Sequence, residues 1–294
     1  MRASLMIVFN QPFVENIPKL EQLYRGRFPD LDYLVPFVPD SPHIFAVHCR
    51  SDIFQGYFAE VYPRIRNNPF SHFIFCADDL LLNPSLNAGN ILGILNLKPG
   101  VGYIKEAIPL AHGFHNGWMH TMPAFAAISK AQYNGILPRP ETAAQLIGRH
   151  GIPWVPINKE HLAKYQQTTT QPDGYTAELT GLVARFGDYY AYPLVYGYSD
   201  FIVVPAEAFN LFAHYCGLFA SINLFVEVAV PTALLMSCNA VNTEAHINWE
   251  GTEYWDAQRI EKLQRFNYNL PSLLQSFESN QLYIHPVKLS QWRL

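Results

Sequence analysis

Short apolar runs separated by polar loops dominate the first hundred residues of the chain. Four of these runs have the length and composition of buried strands: 4–9, 32–38, 43–49 and 72–76. Two stretches between them show the apolar spacing of helices: 18–28 and 53–65, the second expected to end near Pro63. Strands that alternate with helices predict an α/β fold with a mostly parallel central sheet flanked by helices.

The pattern weakens between residues 99 and 190, where Gly, Pro, His and Tyr are frequent. Only one helix is indicated there, from about Pro140 to Gly148. Because long loops in compact domains usually have a function, we expect an inserted loop-rich region that forms a binding lid.

Regular elements return after residue 190. The stretch 201–205 is predicted as a strand, and 206–221 and 223–238 as buried helices, the second kinked or begun by Pro231. Further helix is expected over 253–277, broken at Pro271, followed by a last strand within 281–289. We therefore expect one domain, 1–294, in three parts: 1–98, 99–190 and 191–294.

Two adjacent aspartates follow the apolar run at 72–76, in the sequence FIFCADDLLLNP (73–84). In open α/β sheets, ligands bind beyond the carboxyl ends of the strands. Asp78 and Asp79 have no Lys or Arg nearby in sequence, so they repel each other unless water or a cation separates them. Mg²⁺ and Mn²⁺ prefer carboxylate ligands and share them with substrate phosphates. The alternative is that Asp79 caps a following helix and Asp78 faces solvent.

Two further acids are candidates for proton transfer. Glu227 lies in the apolar run NLFVEVAVP, where desolvation would raise its pKa and make it a proton acceptor near neutral pH. The alternative is a structural carboxyl group satisfied by hydrogen bonds. Asp200, just before the strand at 201–205, suits a loop that faces the site and is the second candidate base.

The segment YIHPVK near the end of the chain carries a possible metal ligand and a cation. The imidazole of His285 can bind Mn²⁺, and Lys288 can neutralise a phosphate. An ordinary solvated tail is the alternative. Asn10, in the loop after the first strand, is expected at the same edge of the sheet as Asp78.

Composition excludes several classes of protein. With 49% hydrophobic and 15% charged residues, the chain has a composition typical of a globular domain. Its net charge of −4 does not indicate a surface that binds nucleic acid. The four cysteines form no CxxC pair, which argues against a thiolate zinc site. Neither a signal peptide nor a transmembrane segment is indicated, because polar residues interrupt the most apolar stretch, 211–238. We therefore expect a cytoplasmic protein, with peripheral membrane association left open.

The middle region holds one more group of candidates. His112, His115 and His120 have spacings that could suit zinc, although three histidines in such a loop more often contact a substrate or are merely polar. The aromatic residues Phe114, Trp118 and Tyr133 suit stacking on sugar rings or the core of an ordinary loop.

Taken in order, these features resemble nucleotide-sugar-dependent glycosyltransferases of the GT-A fold. The ADD sequence at 77–79 is similar to the acidic motif of that family in a degenerate form. The resemblance implies that Asp79 binds the metal, Mn²⁺ or Mg²⁺, and that His285 completes the metal site. It also implies that Asn10, Asp78 and Lys288 bind the nucleotide diphosphate, and that Glu227 or Asp200 is the catalytic base. The region 99–190 then forms an insertion or acceptor lid.

The resemblance implies a transferase that moves a sugar from a nucleotide-sugar donor, a UDP-sugar being favoured, to a glycan or lipid-linked acceptor. Synthesis of a bacterial-type surface polysaccharide is the expected context. A sugar nucleotidyltransferase is an alternative, although the loop after the first strand lacks the glycines of a phosphate-binding loop. A non-catalytic carbohydrate-binding protein is the other alternative.

Overall fold

The structure, a computed structural model, describes residues 1–131, 136–168, 174–255 and 257–294, without the side chains of residues 168 and 257–259. In these ranges the strands are β1 (Ala3–Val8), β2 (Leu31–Pro36), β3 (Ile44–Val47), β4 (His72–Ala77), β5 (Leu81–Leu82), β6 (Val101–Ile104), β7 (Ile108–Pro109), β8 (Val195–Tyr196), β9 (Phe201–Pro205), β10 (Ala240–Asn242), β11 (Glu250–Glu253) and β12 (Gln281–His285). The helices are α1 (Ile17–Tyr24), α2 (Gln55–Ile65), α3 (Ile91–Ile94), α4 (Thr121–Lys130), α5 (Pro140–Gly148), α6 (Lys159–Thr168), α7 (Gly174–Phe186), α8 (Ala206–Ser221), α9 (Val226–Ser237), α10 (Ala257–Gln264) and α11 (Leu270–Gln275).

A seven-stranded sheet organises the described residues, with the strand order β10-β6-β9-β4-β1-β2-β3. The pairs β1–β2, β1–β4, β2–β3 and β10–β6 are parallel, whereas β9 runs antiparallel to β4 and β6. The predicted α/β fold with a mostly parallel central sheet and flanking helices is thus confirmed. The carboxyl ends of β1 and β4 lie side by side, because Val8 pairs with Ala77.

Both faces of the sheet are covered, which explains why its central strands are apolar throughout. Along β1, Met6 and Val8 pack into one core with α2, α8 and α9. The alternate residues Leu5 and Ile7 pack into a second core with α1 and β12. A strand buried on both faces gives a continuous apolar run rather than an alternating one.

Prolines occupy different places in the helices from those expected. Helix α2 ends at Ile65, as the predicted range did, and Pro63 lies inside its last turn, where the burial of Val61 and Ile65 offsets the lost hydrogen bond. Pro231 lies inside α9, which begins at Val226. Pro271 does not break a helix, since it lies in the first turn of α11, where no N–H is needed.

The middle region contains more regular structure than its sequence indicated. Helix α5 has the predicted bounds, but α4, α6 and α7 were not predicted. Pro123 lies inside α4 and most of that helix is buried, so it shows no amphipathic period. Strand β6 also falls in this region, although it pairs in the central sheet. The division of the domain into three functional parts stays a prediction.

A small second sheet brings the end of the chain to the loop after β4. It has the order β11-β12-β5, with β12 parallel to β11 and antiparallel to β5. The pairing of Ile284 with Leu81, and a 2.6 Å hydrogen bond from the N–H of Val287 to the carbonyl of Asp79, fix the two segments together. Residues about 200 positions apart are thereby held at one edge of the central sheet.

Candidate active site

Three strands meet where the paired aspartates lie. Asp78 and Asp79 come directly after β4, and the N–H of Asp78 donates to the carbonyl of Val8 at 2.9 Å. The N–H of Ala77 donates to the carbonyl of Asp200 at 2.8 Å, which places the beginning of β9 beside them. The aspartates therefore lie just beyond the carboxyl end of a central parallel strand, as the sequence predicted.

Asp79 and His285 are in direct contact. The Nε2–H of His285 donates to Oδ1 of Asp79 at 3.0 Å. The imidazole is only 2% exposed, and its Nδ1 has no hydrogen-bond partner among the described residues. Burial alone would lower the pKa of His285, but the hydrogen bond to Asp79 and the charges of Asp79, Asp200 and Glu253 outweigh it and raise the pKa. The histidine is thus held in a strongly acidic environment.

Asp78 lies deeper than Asp79 and is 7% exposed. Desolvation, followed by the charge of Asp79, raises the pKa of Asp78 to about 7. The backbone N–H of Asn10 donates to its Oδ1 at 3.4 Å and opposes that rise. A second anionic carboxylate beside Asp79 is therefore costly in this structure, which a bound cation would relieve.

A cleft of about 280 Å³ opens beside the aspartates, and we call it the donor cleft. It is lined by Asn10, Gln11, Phe13, Asn16, Asp78, Asp79, Lys288, Leu289 and Ser290. Four of the residues singled out in the sequence, Asn10, Asp78, Asp79 and Lys288, thus share one cavity. Its polar lining includes three amides, two acids and the exposed Lys288.

The two candidate bases are coupled to the same acidic site. Desolvation raises the pKa of Asp200 to about 6, His285 opposes that rise, and Asp79 and Glu253 add to it. Glu227 lies in the first turn of α9, where desolvation, followed by the charges of Asp200 and Glu106, raises its pKa to about 7. The structure therefore places Glu227 within electrostatic range of Asp200 and His285.

A close backbone approach supports the segment that carries Glu227. The N–H of Gly197 donates to the carbonyl of Glu227 at 3.0 Å. A Cβ at position 197 would collide with the backbone carbonyl oxygen of Glu106, so only glycine fits there without a shift. Gly197 could not be identified from local sequence, because the need for glycine arises from a contact with a distant segment.

A charged network behind His285 was also missed. Lys105 forms an ion pair with Glu253, and both side chains are mostly buried. The hydroxyl of Tyr283 donates to Glu253 at 2.8 Å, and the ammonium group of Lys105 lies 5.6 Å from the ring centre of Tyr198. Tyr198 in turn packs its ring edge-on against His285, with centres 5.6 Å apart. Nothing in the local sequence relates Lys105 to Glu253.

Asp79 and His285 are residue types that can bind a divalent cation. In this structure the 3.0 Å contact between Oδ1 and Nε2 is a hydrogen bond, so a cation held by both residues would take the place of the Nε2 proton. Within the described residues, no cluster of three or more His, Cys, Asp or Glu side chains is arranged to hold a metal. A two-ligand site is typical of ions that complete their coordination with substrate phosphates and water.

The histidines and aromatic residues of the middle region do not form the zinc site that was considered. The rings of His112 and His115 are 6.5 Å apart, but His120 stacks on Phe225 instead, with centres 3.6 Å apart. His115 is closer to His161, at 4.7 Å. Trp118 stacks on Tyr196 at 4.8 Å, whereas Phe114 belongs to the core, and Tyr133 lies outside the described residues.

No helix in the described part of the chain is both long and apolar enough to span a bilayer. The three buried cysteines, Cys76, Cys216 and Cys238, are free thiols that belong to the two cores.

Comparison with known proteins gives one similar structure. No protein-family model matches the chain, and no curated protein matches it significantly. The chain is similar to core-mannan synthase A (CmsA/Ktr4) from Aspergillus fumigatus, solved in a Mn/GDP form, with 10% sequence identity over 84% of this chain and 73% of that chain and a TM-score of 0.35. A TM-score of this size does not establish a common fold, so function is inferred below from the residues of this chain.

Proposed function

We propose that the protein is a glycosyltransferase that moves a sugar from a nucleotide diphosphate sugar to an acceptor hydroxyl. The observation that carries the proposal is the contact between Asp79 and His285 at the mouth of the donor cleft. Along the chain the acidic motif comes first, the candidate bases follow and the histidine segment comes last, which is the order found in GT-A enzymes. The hydrogen bonds from Ala77 to Asp200 and from His285 to Asp79, which hold these segments at one edge of a mostly parallel sheet, support the proposal.

The donor cleft is the site proposed for the nucleotide diphosphate. The amides of Asn10, Gln11 and Asn16 offer donors and acceptors to a base and ribose, while Phe13 offers an apolar face. Lys288, which is exposed, is the cation proposed for a phosphate. Asp78 lies between these groups and Asp79, where it would orient the ribose or a water molecule.

Asp79 and His285 are the residues proposed to hold Mn²⁺ or Mg²⁺. When bound, the ion would offset the negative charge that builds on the departing diphosphate. Tyr198 and Trp255 flank the buried imidazole of His285, and the three rings exclude water from one side of the proposed metal position. The carboxylates of Asp79, Asp200 and Glu253 that act on His285 also favour a cation here, although binding by His285 requires the neutral imidazole.

Glu227 is the proposed base, and Asp200 is kept as the alternative. A base works best when its pKa lies near the working pH, and the pKa of Glu227 is raised to about 7. Glu227 does not line the donor cleft, but Asp200 and His285 act on it electrostatically. The pKa of Asp200 is raised only to about 6, and its backbone carbonyl accepts a hydrogen bond from Ala77. In a retaining enzyme neither group need act as the base.

Several finer assignments stay predictions. These are the preference for a UDP-sugar, the cytoplasmic location and the context of bacterial-type surface polysaccharide synthesis. No observation on the described residues favours the nucleotidyltransferase alternative, since the loop after β1 contains no glycine.

The proposal is tested by thermal shift and donor hydrolysis on the full chain. UDP, GDP, CDP, dTDP and their sugar conjugates are tried with and without Mn²⁺. A nucleotide at 100 times its Kd should add about 2.7 kcal/mol to the free energy of unfolding. We expect one base to stabilise the protein only with Mn²⁺, and its sugar conjugate to be slowly hydrolysed. A chain stabilised by no nucleotide diphosphate in Mn²⁺ would contradict the proposal.

A further inference from the structure

A second cavity of about 280 Å³ lies beside the donor cleft, on the other side of Lys288, and we call it the aromatic cavity. Its walls come from the segment after β11, from α10 and the turn that follows it, and from the residues after β12. Four aromatic side chains line it: Tyr254, Trp255, Tyr268 and Trp292. The proposed chemistry of the donor cleft leaves this cavity without a role.

Two of the four aromatic side chains in this cavity are open to solvent. Trp255 is 63% exposed and Tyr268 is 41% exposed, whereas most aromatic residues of the chain belong to the two cores. Tyr268 packs edge-on against the buried Trp292, with ring centres 5.7 Å apart, so its orientation is fixed by a core residue. Large exposed aromatic surface in a concave site indicates a ligand that stacks on it.

The polar groups of the cavity narrow the chemistry of that ligand. Gln264, Gln291 and Lys288 line it and are exposed at its surface. Among the described residues that line it there is no carboxylate. Aromatic faces combined with amide donors and acceptors suit a polyhydroxylated ring, which offers C–H faces for stacking and hydroxyl groups for hydrogen bonds. A purely hydrocarbon ligand would leave both amides unused.

The cavity is tied to the proposed reaction centre. The ring of Trp255 packs edge-on against His285, with centres 5.0 Å apart. The ammonium group of Lys19 donates to the carbonyls of Leu289 and Trp292 at 2.7 and 2.8 Å, which holds the wall after β12 in place. A ligand in the cavity would thus lie next to both the metal-binding pair and the phosphate-binding lysine.

We propose that the aromatic cavity binds a saccharide, and that this saccharide is part of the acceptor. The term acceptor rests on the function proposed above, whereas saccharide binding does not. The donor nucleoside is assigned to the amides of the donor cleft, so the two ligands occupy neighbouring cavities separated by Lys288.

The test starts with an array of immobilised neutral and acidic oligosaccharides probed with the labelled full-length protein. The best binder is then measured by calorimetry, with and without saturating Mn²⁺ and the nucleotide diphosphate found by thermal shift. We expect binding that the nucleotide leaves intact. Binding to no oligosaccharide would overturn the proposal, and so would displacement of the saccharide by the nucleotide, because the cavity would then belong to the donor.

Variants locate the binding in the aromatic cavity. Trp255→Ala and Tyr268→Ala should each weaken saccharide binding about tenfold, since each removes a stacking face. Tyr268→Phe should retain affinity within a few-fold. The matched control is Phe186→Ala, an exposed aromatic residue at the end of α7 that should leave affinity unchanged. Parental affinity in both alanine variants would overturn the proposal. Saccharide binding without any nucleotide binding would instead refute the transferase function and leave the saccharide site standing.

Discussion

Asp79 and His285, 206 positions apart in sequence, lie 3.0 Å apart between Oδ1 and Nε2. The contact is made by the pairing of β12 with β5 and by the hydrogen bond from Val287 to Asp79. Neither residue is adjacent to a basic side chain in sequence, and the imidazole is almost fully buried. The chain thus joins a carboxylate and an imidazole by a hydrogen bond whose proton a bound cation would replace.

Replacement of Asp79 tests the metal assignment directly. Asp79→Ala should abolish the Mn²⁺-dependent stabilisation by the nucleotide diphosphate, a loss of about 2.7 kcal/mol at 100 times the parental Kd, because a charged ligand is removed. His285→Ala should reduce the same stabilisation by a smaller amount. The two effects should not add in the double variant, since the residues are in contact. Thermal unfolding with and without Mn²⁺ and nucleotide measures all of these changes.

The matched control is Glu141→Ala, which removes an exposed carboxylate in the first turn of α5. It should respond to Mn²⁺ and nucleotide as the parent does. If Asp79→Ala binds the nucleotide in Mn²⁺ as tightly as the parent, the metal assignment is wrong.

Glu227→Gln tests the proposed base. The amide keeps the shape of the side chain but cannot accept a proton, so transfer should fall by roughly 10² to 10⁴ while nucleotide affinity is kept. Asp200→Asn should reduce turnover less. Measured kcat for transfer and Kd for the nucleotide separate the two steps. Near-parental turnover in Glu227→Gln, together with an inactive Asp200→Asn, would transfer the role to Asp200.

The pH dependence of sugar transfer should follow from the ionisation of Glu227. The pKa of Glu227 is raised to about 7, so the carboxylate that accepts a proton is present mainly above that pH. Activity should therefore rise with pH through about 7, and kcat for the residual activity of Glu227→Gln should lack that rise. A parental profile that stays flat between pH 5 and 9 would exclude a base with this pKa.

Much of the sheet was predictable because it depends on local pattern. The strands at β1, β4 and β9 and the helices α5 and α8 lie where the apolar runs indicated them. The position of Asp78 and Asp79 followed, since a buried strand that ends in two acids must present them at its carboxyl end. The prediction that Pro271 breaks a helix failed, because a proline in the first turn of a helix is tolerated.

The supporting residues of the site could not be predicted, because each depends on contact between distant segments. Lys105 pairs with Glu253 across 148 positions, and Gly197 is needed because of the Glu106 carbonyl. The aromatic cavity is likewise assembled from residues 254–268 and 286–292, which show no shared pattern in sequence. Local sequence indicates the groups that carry the chemistry, whereas the groups that hold them in place depend on tertiary contacts.

Stability should also respond to Glu227 in a pH-dependent way. Its folded-state pKa is raised from 4.5 to about 7, so its contribution is fully present below pH 4.5 and is lost as pH rises through about 7. Glu227→Gln should thus unfold like the parent at pH 4 but be more stable at pH 8, by on the order of 1–3 kcal/mol. Denaturant unfolding at the two pH values measures the difference. Equal stability at pH 8 would indicate that the carboxylate is well solvated.

The ion pair behind the site should contribute to stability. Lys105→Met leaves Glu253 mostly buried without its cation, which should cost about 1.5–3 kcal/mol. Adding Glu253→Gln should recover part of this loss, because no unpaired charge then remains. The double-mutant cycle, measured by chemical denaturation, gives the coupling energy. Independent, additive effects would show that the pair is not coupled in solution.

Gly197→Ala tests whether the backbone around Glu227 is as closely packed as the structure indicates. The new Cβ would collide with the carbonyl oxygen of Glu106, which must move, and the hydrogen bond from Gly197 to Glu227 should weaken. Overpacking of this kind costs about 1–3 kcal/mol. Because the donor cleft is lined by other segments, nucleotide affinity should change less than kcat.

The control is Gly181→Ala in α7, which has open space around the position and should be neutral or stabilising by up to about 1 kcal/mol. If Gly197→Ala keeps both parental stability and parental turnover, the contact with Glu106 does not position the base.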